Sequence, residues 1–248
     1  MSGAEPPVVV VTALAEELAP LLRRLQPADS ERLGGCRVFH SRLLGFWPPL
    51  ILAVTGGGSS NAGRRAARLC EVYRPTALVG LGVAGALTTS LKPLELVASG
   101  RLRNGSGDAP SADALLLSLA TAAGARAATL ITTSTPAVSI ADKKALAAGL
   151  EAGSLGAVDM ESAAWARAAA ATGVPFVIVR AISDGADEEL PAYLTDCVGR
   201  DGAIRRIAVL RRALARPSSI GTLMKMRRRV ADCGERLAAF LLDRFFPS

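Results

Sequence analysis

Residues 174–187 read VPFVIVRAISDGAD, an apolar β-branched run that ends in Ser-Asp-Gly. A continuous run of Val and Ile predicts a strand buried on both faces, as in a parallel sheet. The same texture occurs in VVVVTA at residues 8–13 and in the run from residue 76 to 83. Helical patterns separate these runs, and such alternation favours a mostly parallel sheet covered by helices. We therefore expect an α/β fold, a three-layer α/β/α sandwich with a mixed, mostly parallel central sheet.

The remaining elements follow from periodicity and turn residues. Strands are also predicted over residues 36–43, 50–55, 94–98, 127–133 and 156–159, and helices over 14–25, 60–73, 111–123, 141–150 and 161–172. Residues 99–112 are predicted as a surface loop, and Ser60 or Asn61 as the N-cap of the second helix. We expect a single domain over residues 1–248, with a basic helical C-terminal extension from about 197 to 248.

Composition excludes several classes of protein. The chain has 248 residues, 29 basic and 22 acidic side chains for a net charge of +7, and 50% hydrophobic residues. Modest charge and high apolar content exclude disorder for most of it. The longest uncharged stretch, residues 75–91, is shorter than the roughly 20 apolar residues of a membrane span. The N-terminus carries an acid and no basic segment, so we expect no signal peptide and a cytoplasmic protein.

Cysteine and histidine usage limits the chemistry. The four cysteines have no C-x-x-C spacing, so we expect free thiols that serve packing. A single histidine, His40, excludes a His-based zinc site and disfavours a Ser-His-Asp triad. The Gly56–Gly58 loop lacks both G-x-G-x-x-G and the lysine of a P-loop. We expect neither a metal nor a cofactor, and acid–base work by carboxylates.

Polar residues cluster at the expected carboxyl ends of the strands, where α/β folds bind ligands. They are Glu16-Glu17, Gly56–Gly58, Asp159-Met160-Glu161 and Ser183-Asp184. Asp184 follows an apolar strand, and a carboxyl that burial keeps protonated can act as a general acid. A second carboxylate, Glu161, could then take an anchoring role. The alternatives are acids in the first turn of a helix, a turn residue before Gly185 and a tight glycine connection.

Four segments carry a resemblance to a known family. VDMESAAW at 158–165 and VPFVIVRAISDGAD at 174–187 resemble the signature of the purine nucleoside phosphorylase and methylthioadenosine/S-adenosylhomocysteine nucleosidase superfamily. TALAEEL at 12–18 resembles its first strand–helix turn, and GVAGAL at 82–87 resembles its glycine-rich segment. The segments occur in the family's order across residues 8–187. The resemblance implies a nucleoside phosphorylase-like fold and cleavage of an N-glycosidic bond.

The resemblance also implies residue roles. Asp184 protonates N7 of the departing purine, and Glu17 positions the attacking water. Glu161 is expected to bond the ribose hydroxyls, and Met160 to pack against the sugar. The backbone around Val138 is expected to bind the purine edge, with Arg180 as a charge partner near the site. The remaining substrate-binding residues in the matched segments are Ser183, Gly85 and Val83. Donation of a proton, with fixed negative charge near a cationic sugar, stabilises the transition state electrostatically.

The nucleophile is predicted to be water. The phosphorylases that resemble this chain carry Arg and Ser where it has Gly80 and Val83. These two side chains offer phosphate no donor, and Glu17 would repel it. Backbone N–H groups of Gly56 and Gly58 could still hold an anion, so phosphorolysis remains an alternative. Val83 and Ala137 also depart from the nucleosidases, which have Ser and an aromatic residue there.

The C-terminal segment differs from the rest of the chain in its basic composition. Nine basic residues and no acid lie between Arg205 and Arg229, with a break at Arg216-Pro217. With Leu190-Pro191 and Asp201-Gly202, it resembles the hopanoid-associated phosphorylase subgroup, also called adenosylhopane nucleosidase.

The function expected from this resemblance is release of adenine from adenosylhopane to give ribosylhopane. The alternatives are a phosphorylase, a methylthioadenosine/S-adenosylhomocysteine nucleosidase, or a nucleoside- or lipid-binding module. The partner is a small-molecule nucleoside, which a hopanoid group would make lipid-linked, and family resemblance suggests a homo-oligomer. The basic segment is either a solvated face or a peripheral contact with the inner membrane surface. Nucleic-acid binding is not expected, because interleaved aromatic residues are missing from it.

Overall fold

The computed structural model describes residues 5–27, 29–41, 48–105, 107–199 and 220–246. Ten strands form one mixed sheet among these residues. They are β1 Val8–Thr12, β2 Asp29–Leu33, β3 Cys36–Ser41, β4 Leu50–Val54, β5 Ala77–Ala86, β6 Leu96–Asn104, β7 Gly107–Asp108, β8 Arg126–Thr132, β9 Gly156–Asp159 and β10 Phe176–Asp184. The mixed sheet with helices against it confirms the predicted α/β class.

Helices lie on both faces of the sheet. They are α1 Ala15–Leu25, α2 Ser59–Tyr73, α3 Ala114–Ala122, α4 Ile140–Ala147, α5 Ser162–Ala171, the short α6 Tyr193–Asp196, and α7 Ile220–Phe240, which ends in a π-helical turn at Leu241–Phe245. None of the helices in the described ranges is both long and apolar enough to cross a membrane.

Alternate residues of the buried strands supply two separate cores. Val9 and Val11 of β1 face the core that includes α2 and α5. Val8 and Val10 face the opposite core, which includes α1 and α7. This alternation explains why the run from residue 8 is apolar at every position: both faces of the strand are covered. The two helical layers around the sheet confirm the predicted sandwich.

The sheet closes on itself at one end. β5 pairs in parallel with β1 and β10, and its last residues, Gly85 and Ala86, pair antiparallel with β9. β10 pairs antiparallel with β6, which continues through β8 to β9. These five strands form a closed ring, and β1, β4, β3 and β2 extend the sheet from β5. The ring brings the carboxyl ends of β5, β9 and β10 together, which is what positions the candidate site.

Three local expectations are wrong. The loop predicted over 99–112 is partly strand, because β6 continues to Asn104 and pairs with β8 while Leu102 is buried. Strand β2 is missing from the prediction, because four of its five residues are exposed and it lies at the edge of the sheet. The N-cap of α2 is Gly58, with a φ of 87°, and not Ser60 or Asn61.

The described part of the C-terminal extension packs on the sheet. Cys233, Leu237 and Phe240 of α7 are buried in the core shared with α1. The part of the extension at 200–219, with its Asp201-Gly202 motif and Arg216-Pro217 break, lies outside the described residues.

Candidate active site

Glu17 joins the start of α1 to the end of β5. Its Oε2 accepts the N–H groups of Ala13, at 3.1 Å, and Leu14, at 2.8 Å, and its Oε1 accepts that of Val83 at 3.1 Å. Burial raises the pKa of the Glu17 carboxyl, and the Arg180 charge and these hydrogen bonds oppose the rise. The neighbouring Glu16 is exposed. Of the predicted pair, Glu17 is therefore the acid in the site.

Glu161 stands where β9 meets α5, at the N-cap position of the helix. Its Oε1 accepts the N–H of Gly58 at 2.9 Å, which ties it to the glycine loop. Burial raises the pKa of Glu161 to about 7, with the Arg180 charge opposing and the charges of Asp159 and Glu17 adding to the rise. A carboxyl with such a pKa can accept or donate a hydrogen bond near neutral pH.

Arg180 is a fully buried cation in the middle of β10. Its Nε lies 2.7 Å from Oδ2 of Asp159, and its Nε and Nη2 donate to the Ser162 hydroxyl at 3.1 and 3.0 Å. Its guanidinium lies over the Trp165 ring, 4.7 Å from the centroid. Hydrogen bonds and a planar contact on one guanidinium hold it in a single position.

A glycine in β5 makes room for this arginine. A Cβ built at Gly82 would lie 2.0 Å from Arg180 Nη1 and 3.0 Å from Glu17 Oε1. The arginine therefore passes directly against the β5 backbone on the side where Glu17 lies, and no larger residue fits there. This placement puts the Arg180 charge beside Asp159 and within the electrostatic influence of Glu17 and Glu161.

Asp184 ends β10, and both of its carboxylate oxygens are engaged. Oδ2 lies 2.6 Å from the Lys143 ammonium, and Oδ1 lies 2.6 Å from the Ser183 hydroxyl. A Cβ built at Gly85 would lie 2.8 Å from Oδ2, so Gly85 is what admits the carboxylate. The apolar strand before Asp184 predicted an apolar environment for its carboxyl, and this prediction is wrong, because α4 places the buried Lys143 beside it. The sequence gives no signal for this lysine, which stands in a Lys-Lys pair that is typical of a solvated helix face.

The carboxylates surround the end of β5. Glu17 binds Val83, and Asp184 lies against Gly85, two residues further along the strand. Two residues of a strand span about 6.6 Å. Glu161 shares Arg180 with Glu17, since the guanidinium charge acts on both. The structure thus brings the three predicted acids to one edge of the sheet.

The other predicted residues lie around this group. The Met160 carbonyl accepts the Ser59 hydroxyl at 2.6 Å, which joins α2 to the start of α5. The Val138 carbonyl accepts the Leu190 N–H at 2.8 Å, so the backbone expected to read the purine edge is bonded to the segment after β10. Gly58 contacts Glu161, whereas Gly56 lies against the Arg65 guanidinium.

All four cysteines are buried and unpaired, as predicted. Burial raises the pKa of Cys36, Cys70 and Cys233, the last to about 12. These three thiols are therefore poor nucleophiles, and their role is packing.

Comparison with known proteins places the chain in a family. The model of the family described as the phosphorylase superfamily matches residues 7–215. A 5′-methylthioadenosine/S-adenosylhomocysteine nucleosidase of Geobacillus kaustophilus is 30% identical over 202 residues, which cover 73% of this chain and 85% of the relative.

Solved structures show the same fold at low identity. The S-adenosylhomocysteine nucleosidase of Streptococcus pyogenes, in complex with 5-methylthiotubericidin, has a TM-score of 0.75 at 21% identity, covering 100% of this chain and 98% of that one. The native futalosine hydrolase of Helicobacter pylori has a TM-score of 0.73 at 19% identity, covering 95% of each chain.

Proposed function

The chain belongs to the phosphorylase superfamily, and from this premise we propose that it hydrolyses the N-glycosidic bond of a 5′-modified adenosine and releases adenine. One observation carries the proposal: Glu17 and Asp184 lie along the end of β5, and the charge of the buried Arg180 acts on both Glu17 and Glu161. Its relatives named as 5′-methylthioadenosine/S-adenosylhomocysteine nucleosidases support the same reaction class.

The proposed reaction divides the work among the three acids. Asp184 donates its proton to N7 of adenine as the bond between C1′ and N9 breaks. The electron pair of the C1′–N9 bond leaves with the base. Positive charge then develops on the sugar, where Glu161 bonds the ribose hydroxyls and Met160 packs. Glu17 positions a water molecule and accepts its proton as the water oxygen adds to C1′. Fixed negative charge beside a cationic sugar is the main source of stabilisation.

Hydrogen bonding at the site supports water as the nucleophile. The Val83 N–H donates to Glu17, and the Gly58 N–H donates to Glu161. Phosphate needs such donors for itself, and here each one is already bonded to an acid whose ionised form repels an anion. This arrangement favours hydrolysis over phosphorolysis.

We propose adenosylhopane as the substrate, with ribosylhopane as the second product. Support comes from the resemblance of the tail and from α7, which exposes Met224, Lys225, Arg227 and Arg228. Arg229 of the same helix donates to the Ser183 carbonyl at 3.0 Å and pairs with Glu188. A basic helix of this kind suits an anionic membrane surface, and it lies beside the strand that carries the general acid.

The proposed setting is a cytoplasmic homo-oligomer of one domain, residues 1–248, with peripheral contact to the inner membrane surface. Leu115 and Leu119 of α3 are 68% and 44% exposed and lie one helical turn apart. Exposed leucines at this spacing suit a contact between subunits. The test is the molar mass in solution, with Leu115→Glu expected to lower it and an unchanged mass counting against this surface.

The decisive experiment measures adenine release from adenosylhopane and from methylthioadenosine, each with and without phosphate. Release from adenosylhopane without phosphate is the expected result. Strict dependence on phosphate would replace hydrolysis by phosphorolysis, and release from methylthioadenosine alone would overturn the hopanoid substrate. Asp184→Asn should lower the rate by about 10²–10⁴-fold, the usual contribution of a general acid. Asp187→Asn, an exposed acid three residues later, is the matched control.

A further inference from the structure

Lys143 is a buried ammonium that the proposed reaction leaves unused. Its side chain is 1% exposed, and its three donors all have acceptors. Nζ lies 2.6 Å from Oδ2 of Asp184 and 2.7 Å from the carbonyl oxygens of Gly185 and Glu188. A lysine is seldom buried without such pairing, because transfer of the charge from water is costly. The three acceptors of Lys143 therefore satisfy every donor of this buried ammonium.

We propose that Lys143 is the positioning residue of the general acid. It holds the Asp184 carboxyl in place and compensates the charge that this carboxyl acquires when it gives up its proton. In that step the O–H bond of Asp184 breaks, the N7–H bond forms, and the electrons of the C1′–N9 bond stay with adenine. The carboxylate that remains is paired with Lys143, and a charge-assisted bond in a buried site is a strong one. The inference rests on the proposed function, since it needs Asp184 as the acid.

The local geometry supports a positioning role. With Lys143 on Oδ2 and the Ser183 hydroxyl on Oδ1, the carboxyl plane is held from both sides. The same ammonium also donates to the carbonyl oxygens of Gly185 and Glu188, which fixes the backbone that follows Asp184. Rotation of the carboxyl would therefore break bonds on both oxygens.

Helix α4 links the acid to the base-reading backbone. A capping box anchors its start, with the Asp142 N–H donating to the Ser139 hydroxyl at 3.0 Å and the Ser139 N–H donating to Asp142 Oδ2 at 3.1 Å. Val138, at the proposed purine edge, directly precedes this cap, and Lys143 follows four residues after it. In the proposed site, the capped start of α4 therefore positions both the backbone that binds the purine and the lysine that holds the Asp184 carboxyl.

The test compares two leaving groups. Lys143→Met, which keeps the length of the side chain, is assayed on a 5′-methylthio- or hopane-substituted adenosine and on the matching 4-nitrophenyl riboside. Nitrophenolate leaves without being protonated, so it does not need the acid. We expect kcat for adenine release to fall about 10- to 100-fold with KM nearly unchanged, as for a lost bond to a charged group. Release of nitrophenolate should change less than about threefold. Lys144→Met, the exposed neighbour, is the control.

A double variant distinguishes a loss of positioning from a loss of folding. Asp184→Asn with Lys143→Met removes the ammonium together with the ionisable carboxyl, so it leaves no buried charge unpaired. If Lys143 acts through Asp184, the lysine change costs less than about twofold in kcat in the Asp184→Asn background. Equal losses on both leaving groups, or losses that add in the double variant, would overturn the inference and leave Lys143 as a structural residue. A wild-type protein that releases no adenine from any adenosine would instead refute the proposed function.

Discussion

Replacing Glu161 with Gln should stabilise the protein above neutral pH while lowering its activity. The pKa of Glu161 rises from 4.5 to about 7 on folding, chiefly because the carboxyl is buried. Between these pH values the folded chain keeps a proton that the unfolded chain loses. The free energy of unfolding therefore falls as pH rises through this window. At 1.36 kcal/mol for each pH unit, the ionised carboxyl costs about 3 kcal/mol of stability at pH 8. The amide cannot ionise, and its oxygen can still accept the Gly58 N–H.

Urea unfolding followed by tryptophan fluorescence measures this difference directly. Wild type and Glu161→Gln should have equal stability near pH 4, and the variant should gain about 3 kcal/mol by pH 8. Glu17, whose pKa is also raised, is present in both proteins, and only its repulsion of the Glu161 charge differs between them. Glu189→Gln, at an exposed acid, is the control. A difference that does not change with pH, or a variant that is less stable at pH 8, would refute the reasoning.

Three further predictions follow from the buried contacts. Asp159→Ala leaves Arg180 without its ion-pair partner, so the free energy of unfolding should fall by about 3–5 kcal/mol, and a loss below about 1 kcal/mol in a urea titration would contradict this. Gly82→Ala places a Cβ 2.0 Å from the Arg180 guanidinium, so adenine release should fall sharply with a lower melting temperature, and wild-type values for both would show that the arginine can move. The four buried cysteines should be inert to a thiol reagent in the native state and react fully in urea, and rapid labelling of the native protein would disprove their assignment as packing residues.

The buried strands were predictable from sequence, because a strand with helices against both of its faces is apolar at every position. In β1, where Val9 and Val10 face opposite cores, no position is free to be polar. Closure of the sheet into a ring was not predictable. The pairing of β5 with β9 rests on two residues, Gly85 and Ala86, and is fixed by packing at a distance along the chain. Strand β2 escaped prediction for the opposite reason, since an exposed edge strand needs no apolar pattern.

The same contrast holds for the site. Acids that follow buried strands could be placed at one edge because the carboxyl ends of neighbouring strands converge there. Their partners could not be found in this way. Lys143 reaches Asp184 from a helix 41 residues earlier, and its burial depends on carbonyl groups of Gly185 and Glu188. Whether a lysine is solvated or enclosed is decided by contacts that local sequence does not encode.

Charge balance explains why an enzyme of this kind would keep two acids in costly positions. The charge of the buried Arg180 acts on both Glu17 and Glu161, but the carboxylate that pairs with it is that of Asp159 at 2.7 Å. Its charge is therefore largely compensated, and burial raises the pKa of both other acids in spite of it. Ionising either buried acid is unfavourable, and a cationic sugar between them would reverse this by supplying a compensating positive charge. In the proposed reaction, the free energy lost by burying these acids would be recovered when positive charge develops on the sugar, which is the condition for preorganised electrostatic catalysis. It also disfavours phosphate, because an anion would add to the imbalance that a cation corrects.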